Sequence, residues 1–176
     1  MKRRQLLKWT ALGGVAAAGA AFWALPTGKQ PGALSIAGAE ELLRTLEGQS
    51  LTSLKGWSPT EVFNHCAQSI EYSIIGYPQL KPAWFRSSVG PLAFSVFSAR
   101  GAMRHPLDEA IPGAAALDEP ASQSLALIRL QKAFADFAAH QGELRPHFAY
   151  GALSHADYAE AHVLHLYNHM SLIRTA

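Results

Sequence analysis

The chain has little cysteine and little charge. Cys66 is the single cysteine among 176 residues, so no disulfide can form within the chain. Charged residues make up 16% of the sequence and hydrophobic residues 49%. Disordered chains show the opposite balance, with low hydrophobicity and high charge. We therefore expect one folded domain with a substantial core and no disulfide.

Acidic residues are absent before Glu40, whereas five of the fifteen Lys and Arg residues lie there. The formal charge of +2 therefore belongs to the N-terminal segment. From Glu40 onward ten basic residues (15 − 5) face thirteen acidic ones, a net charge of −3 (10 − 13). A mildly acidic domain argues against a groove for nucleic acid, and we expect no nucleic-acid partner.

The first residues have the layout of an export signal. A basic start is followed by an uncharged, mostly small and apolar run from Trp9 to Leu25. The stretch "KRRQLLK" resembles the twin-arginine motif, with Arg3 and Arg4 as the pair. We expect residues 1–37 to form this signal, with the twin-arginine translocase as partner and a periplasmic or exported location. Small-x-small cleavage sites occur only late, at residues 35–37 and 37–39, so an uncleaved membrane anchor remains the alternative.

The remainder, residues 38–176, predicts helices. Ser58, Pro59 and Glu61 form a helix-start signal with a capping box, and Gly76 is a stop signal. Ser154 begins the last helix, with a weaker capping box. The predicted spans are 39–48, 58–76, 92–100, 121–141 and 154–174, with a turn at residues 90–91.

Helical periodicity also predicts a core. The residues placed inside are Leu125, Ile128, Phe134, Leu166 and Ile173. No strand pattern is evident. The sequence therefore predicts an all-α four-helix bundle with a long crossover loop at residues 101–120.

Histidines interrupt the apolar stripe of the last helix. His165 and His169 are four residues apart, so both rings lie on one face and can bind one metal ion. His65, in the middle of the 58–76 helix, is the best third ligand. Spacing alone does not exclude His162 in place of His169. Histidines satisfied by core hydrogen bonds, in a purely structural bundle, are the alternative.

Other polar residues receive secondary roles. Glu61 could act as a base or as a partner of a ligand histidine, but its capping-box role is favoured. His162 is expected in the core or beside the ligands. We expect His105, His140 and His155 to be solvated, and His147 also, although His147 could close over the site.

Two segments carry a resemblance to the DinB/YfiT-like superfamily, and within it to an uncharacterised DinB-like family. "GWSPTEVFNHCAQSIEYSIIGYP" is similar to the first motif of that family, and "PHFAYGALSHADYAEAHVLHLYNHM" to its C-terminal motif. The resemblance covers residues 42–173. It implies a four-helix bundle in which His65, His165 and His169 bind one divalent metal. One departure is Asn168, where relatives often carry a fourth histidine.

Three neutral histidine ligands leave a coordination position open, as catalytic sites do, and imidazole suits zinc or nickel. We therefore expect a metal-dependent hydrolase or transferase acting on an unidentified small molecule. A metal-binding protein without catalysis is the alternative, so enzymatic activity is uncertain at this point. Whether the protein forms a homodimer also stays open.

Overall fold

A computed structural model describes residues 34–176. The predictions for Arg3, Arg4 and the apolar run after them lie outside the described residues. No helix within residues 34–176 is both long enough and apolar enough to span a membrane.

The described chain is mostly helical, as predicted. Its elements in chain order are α1 Ile36–Thr45, β1 Leu51–Ser53, α2 Pro59–Ile75, α3 Ala83–Arg86, α4 Val89–Arg100, α5 Gln123–Ala139, α6 His155–Met170 and β2 Ile173–Thr175.

Both predicted capping boxes are present. The Ser58 hydroxyl accepts the N–H of Glu61, whose carboxylate accepts the N–H of Ser58 at 2.8 Å. Ser154 and Asp157 make the same reciprocal pair at the start of α6. At the other end of α2, Gly76 has a φ of 109°, a conformation that L side chains rarely adopt. These local signals fix the helices that carry the histidines.

Several helix bounds differ from the prediction. α1 begins at Ile36, so the expected domain start at residue 38 falls inside a helix. α4 begins at Val89, so the turn predicted at residues 90–91 was wrong. Pro91 is tolerated there because it lies in the first helical turn, where backbone N–H groups have no helical partner. α6 ends at Met170 rather than at residue 174, since the chain then enters a strand.

Two short strands were not predicted, and the expectation of no strand was wrong. β1 and β2 pair antiparallel, with Leu51 opposite Thr175 and Ser53 opposite Ile173. Each strand has only three residues, too few for an alternating pattern to stand out in the sequence. The pair ties the C-terminus to the segment that precedes α2.

The core forms where α2 packs against α5 and α6 and where α1 packs across the same two helices. Phe134, Leu166 and Ile173 are buried as predicted. The prediction that Leu125 and Ile128 lie inside was wrong, because these residues are 54% and 57% exposed. The face of α5 that is buried instead carries Leu127, Leu130, Phe134 and Phe137.

The loop at residues 101–122 lies along α2. The Asn64 amide donates to the carbonyls of Leu117 and Pro120 at 2.9 and 3.1 Å, and the Gln68 amide donates to that of Ala115 at 3.0 Å. These bonds hold the loop beside the helix that carries His65.

Candidate metal centre

Three histidines converge between α2 and α6. Nε2 of His165 lies 3.1 Å from Nε2 of His65 and 3.1 Å from Nε2 of His169. One ligand atom from each of the three residues lies within 4.8 Å of the other two. We call His65, His165 and His169 the histidine trio. The expected convergence of these rings is thus present, and the trio could hold a metal ion.

Hydrogen bonding satisfies the trio poorly. A neutral imidazole nitrogen is either a donor with one hydrogen or an acceptor with one lone pair. Nε2 of His165 would have to share that hydrogen or lone pair between two ring nitrogens at 3.1 Å, and Nδ1 of His65 and of His169 would still lack partners among the described residues. A cation placed among the three lone pairs accounts for both contacts.

The spacing also fits a common ion. Zinc lies about 2.0–2.1 Å from histidine nitrogen, so two ligands 3.1 Å apart subtend roughly 95–100° at the metal. That angle is close to the tetrahedral value. The residues present therefore fit a divalent ion held by three imidazoles.

Burial keeps the trio neutral, which metal ligation requires. Removal from water lowers the pKa of His65 to about 3 and that of His169 to about 2. The same cause, reinforced by the neighbouring His169 and His65, holds the pKa of His165 well below its usual value. Near neutral pH the lone pairs are free to bind a cation.

Packing, more than hydrogen bonding, orients the trio. Nδ1 of His65 and Nδ1 of His169 are buried, and neither has a hydrogen-bond partner within residues 34–176. Ligand histidines usually donate this second N–H to an acceptor. Here the Trp57 ring lies 4.8 Å from the ring of His65 and stacks at 6.1 Å on that of His169. The tryptophan predicted as part of the first motif thus covers the trio.

His105 is the residue that the sequence did not assign to the site. It was expected to be solvated, but its ring lies 5.0 Å from that of His165 and 5.2 Å from that of His169. Its Nδ1–H donates to the carbonyl of Pro106 at 2.6 Å, so Nε2 keeps the lone pair. The signal available in the sequence was its position in a long loop with three prolines, since such loops are often functional.

The residues predicted to support the ligands have hydrogen-bond partners other than the trio. Glu61 serves the capping box of α2. His162 is buried, and its Nε2 lies 3.2 Å from the Ser73 hydroxyl. His147 is also buried, which corrects the expectation that it is solvated, and its Nδ1 accepts the N–H groups of Ala149 and Tyr150. None of the three makes a hydrogen bond to the trio among the described residues. We call His147 and His162 the histidine pair.

The two remaining histidines lie away from the trio. His155 is exposed, as expected, and its Nε2 lies 3.2 Å from the carbonyl of Phe137. His140 is half-buried rather than solvated, and its Nε2 has no partner within the described part of the chain.

A cavity of about 190 Å³ adjoins the trio, and His65, His165 and His105 contribute to its lining. The histidine pair lines the same cavity, together with apolar residues such as Met103, Ile111 and Phe148. Ligand sites in proteins are typically concave and apolar with a few fixed polar groups, and this cavity has that character.

Comparison with known proteins gives one match. No curated protein and no solved structure matches the chain. A family model with the description "Protein of unknown function (DUF1569)" matches residues 35–176, which is nearly the whole of the described chain. The protein belongs to the DUF1569 family.

Proposed function

We propose that the protein binds one divalent metal ion, zinc or nickel, through Nε2 of His65, His165 and His169. The observation that carries this proposal is the pair of 3.1 Å contacts at Nε2 of His165, because three buried ring nitrogens that converge in this way suit a cation better than shared hydrogen bonds. A purely structural bundle would leave these buried nitrogens facing one another at a cost of about 1–3 kcal/mol each.

The proposed site is of the catalytic type. Three protein ligands leave a position open, and two of them, His65 and His165, line the cavity. When bound, a divalent ion at such a position supplies a Lewis acid that polarises an oxygen or lowers the pKa of a water molecule. The reaction classes that use this chemistry with histidine ligands include hydrolysis and group transfer, and we propose one of these.

His105 is the proposed proton acceptor of this site. Its ring lines the cavity beside His165, and its Nε2 lone pair is free because Nδ1–H is bound to Pro106. Nε2 of His105 can therefore accept a proton from a molecule in the cavity. Glu61, the other candidate base, is engaged by the N–H and the hydroxyl of Ser58 and is not assigned this role.

We also propose that the DUF1569 family shares the DinB-like four-helix bundle. The supporting observation is that α1 and α2 each pack against both α5 and α6, with ligands contributed by α2 and α6. A ligand site between facing helices is typical of such bundles. In this arrangement the four helices of the bundle are α1, α2, α5 and α6.

Export by the twin-arginine translocase is part of the proposal. It is supported by Arg3 and Arg4 before an apolar run. Replacing both arginines with lysine should retain the protein in the cytoplasm, as fractionation and immunoblotting would show. Continued export through the general secretory route would contradict this part and would leave the metal proposal intact.

Metal analysis of protein purified without a histidine tag tests the central proposal. We expect close to one zinc or nickel per wild-type chain, and strong loss of metal in His65→Ala, His165→Ala and His169→Ala. His162→Ala is the matched control, because His162 is one turn from His165 on the same face of α6 and should leave metal content unchanged. Equal loss in all four variants would indicate general destabilisation and would contradict the assignment of ligands.

A further inference from the structure

The cavity beside the trio is also lined by the histidine pair, which the metal proposal does not use. It has a volume of about 190 Å³ and is lined mainly by apolar side chains. An engineered apolar cavity on the order of 150 Å³ is large enough to hold benzene. The cavity can therefore hold an organic molecule of that size, and its polar groups determine which one.

His147 presents a fixed hydrogen-bond donor. Its Nδ1 accepts the backbone N–H groups of Ala149 and Tyr150, both at 3.1 Å. Nδ1 must then be unprotonated, so the single ring hydrogen lies on Nε2. Nε2 has no hydrogen-bond partner among the described residues, and the ring lines the cavity. The ring is thus a neutral N–H donor without a protein acceptor.

His162 presents the complementary acceptor. The Ser73 hydroxyl donates its hydrogen to the carbonyl of Ile70 at 2.6 Å. At its 3.2 Å contact with Nε2 of His162, Ser73 must therefore accept, which places the ring hydrogen on Nε2. Nδ1 of His162 keeps its lone pair, has no protein partner in residues 34–176, and belongs to a ring that lines the cavity.

The charges around the cavity do not favour an ionic ligand. Among the described residues that line it, only Lys81 and Glu109 carry a fixed charge, and they have opposite signs. His147 cannot take a second proton without losing two backbone hydrogen bonds. Burial also lowers the pKa of His162 to about 3, so this acceptor stays neutral near neutral pH.

We infer that the cavity binds a small uncharged molecule with an acceptor for Nε2–H of His147 and a donor for Nδ1 of His162, as in a primary amide or a urea. An amide places a carbonyl oxygen and an N–H group side by side, which matches one donor and one acceptor in a single cavity. This inference rests on the cavity and the histidine pair and does not require the metal. If metal is bound, the molecule lies next to it, because His65 and His165 line the same cavity.

NMR titration of the chelator-treated full chain with benzamide tests the inference in the absence of metal. We expect benzamide to bind at least tenfold more tightly than benzoate, benzylammonium or toluene, which have a similar ring with a negative charge, a positive charge or no polar group. Tighter or equal binding of any of the three would overturn the inference, as would the absence of benzamide binding.

Variants locate the binding site. His147→Phe and His162→Phe keep a ring and remove the polar atoms, and each should weaken benzamide binding at least tenfold. His140→Phe is the matched control, because His140 does not line the cavity, and it should bind as the wild type does. Unchanged binding in both cavity variants would contradict the inference.

A measurement on the wild-type chain covers the case in which a variant fails to fold. The ring ¹⁵N signals of His147 and His162 should each show a protonated Nε2 and an unprotonated Nδ1, and benzamide should shift both sets. A hydrogen on Nδ1 of either ring would overturn the inference. Metal analysis reports separately on the trio, so failure of one proposal is distinguishable from failure of the other.

Discussion

The histidine trio and the histidine pair share burial but differ in how their ring nitrogens are satisfied. The pKa of His162 is lowered to about 3 and that of His65 also to about 3, in both cases mainly by burial. In the pair, one nitrogen of each ring has a partner in α2 or in the backbone beside His147. In the trio, three Nε2 atoms face one another and two Nδ1 atoms have no partner among the described residues.

This difference shows which property identifies a metal ligand. Burial and a lowered pKa apply equally to core histidines and to ligands, so neither separates the two groups. Hydrogen bonding does separate them, because one nitrogen of each ring in the pair is bonded within the protein, whereas the three Nε2 atoms of the trio face one another. Substitutions and metal loading should therefore affect one group of histidines and spare the other.

The largest expected effect is stabilisation by zinc. Free zinc at roughly 1,000 times its Kd should raise the free energy of unfolding by about 4 kcal/mol, because only the folded state holds the site together. His165→Ala should abolish this gain, and His162→Ala should keep it. Urea unfolding of metal-free and zinc-loaded protein measures both. Equal zinc stabilisation of the two variants would remove the distinction between trio and pair.

Gly90→Ala should disturb the backbone beside His147, one member of the pair. A Cβ at Gly90 would lie 1.9 Å from the carbonyl oxygen of Ala149, and backbone must shift to make room. We expect a loss of about 3 kcal/mol, the upper end for an overpacked site. Urea unfolding is the measurement, and Ser95→Ala, at an exposed position in the same helix, is the control. A loss as small as that of the control would show that α4 does not pack on the backbone beside His147.

Ser73→Ala should remove a hydrogen bond of the pair and lower the free energy of unfolding by a smaller amount. It removes the hydroxyl that accepts from His162 and leaves a buried N–H without a partner. The expected loss in unfolding free energy is about 1–2 kcal/mol with unchanged metal content. Ser69→Ala, one turn earlier on α2 and also buried, should cost less. Loss of metal in Ser73→Ala would link the pair to the trio and contradict their separation.

The smallest effect concerns pH in the metal-free protein. Unfolded histidines have a pKa near 6.5, whereas burial lowers the folded pKa of His162 to about 3. Below about pH 6.5 the unfolded state therefore binds more protons, and stability falls as pH falls. Each such histidine contributes roughly 1 kcal/mol of loss between about pH 7.5 and 5.5. His162→Phe should reduce this slope by one histidine's share, and an unchanged slope would contradict its burial as a neutral ring.

The sequence predicted those parts of the site that local rules determine. Ser58, Glu61 and Gly76 delimit the helix that carries His65, and the four-residue spacing places His165 and His169 on one face. Capping and helical periodicity act over a single turn or two, so they can be read without knowing the fold.

Features that depend on tertiary contacts were not predictable in the same way. α5 has apolar residues on two faces. The face with Ile128 was predicted inside, whereas the structure buries the face with Leu130. His105 and His147 lie in irregular segments whose paths are set by contacts such as Asn64 with Leu117 and Gly90 with Ala149. No periodicity relates such residues to the helices they meet.

X-ray absorption spectroscopy at the metal edge of the zinc-loaded protein tests the central claim most directly. Ligation by His65, His165 and His169 predicts three imidazole nitrogens at about 2.0–2.1 Å, with one exchangeable oxygen ligand, such as water, in the remaining position. His169→Ala should lose the bound zinc, whereas in His162→Ala the number of imidazole ligands should remain three. Fewer than three imidazoles in the wild type, or a sulfur ligand from Cys66, would contradict a site formed by His65, His165 and His169.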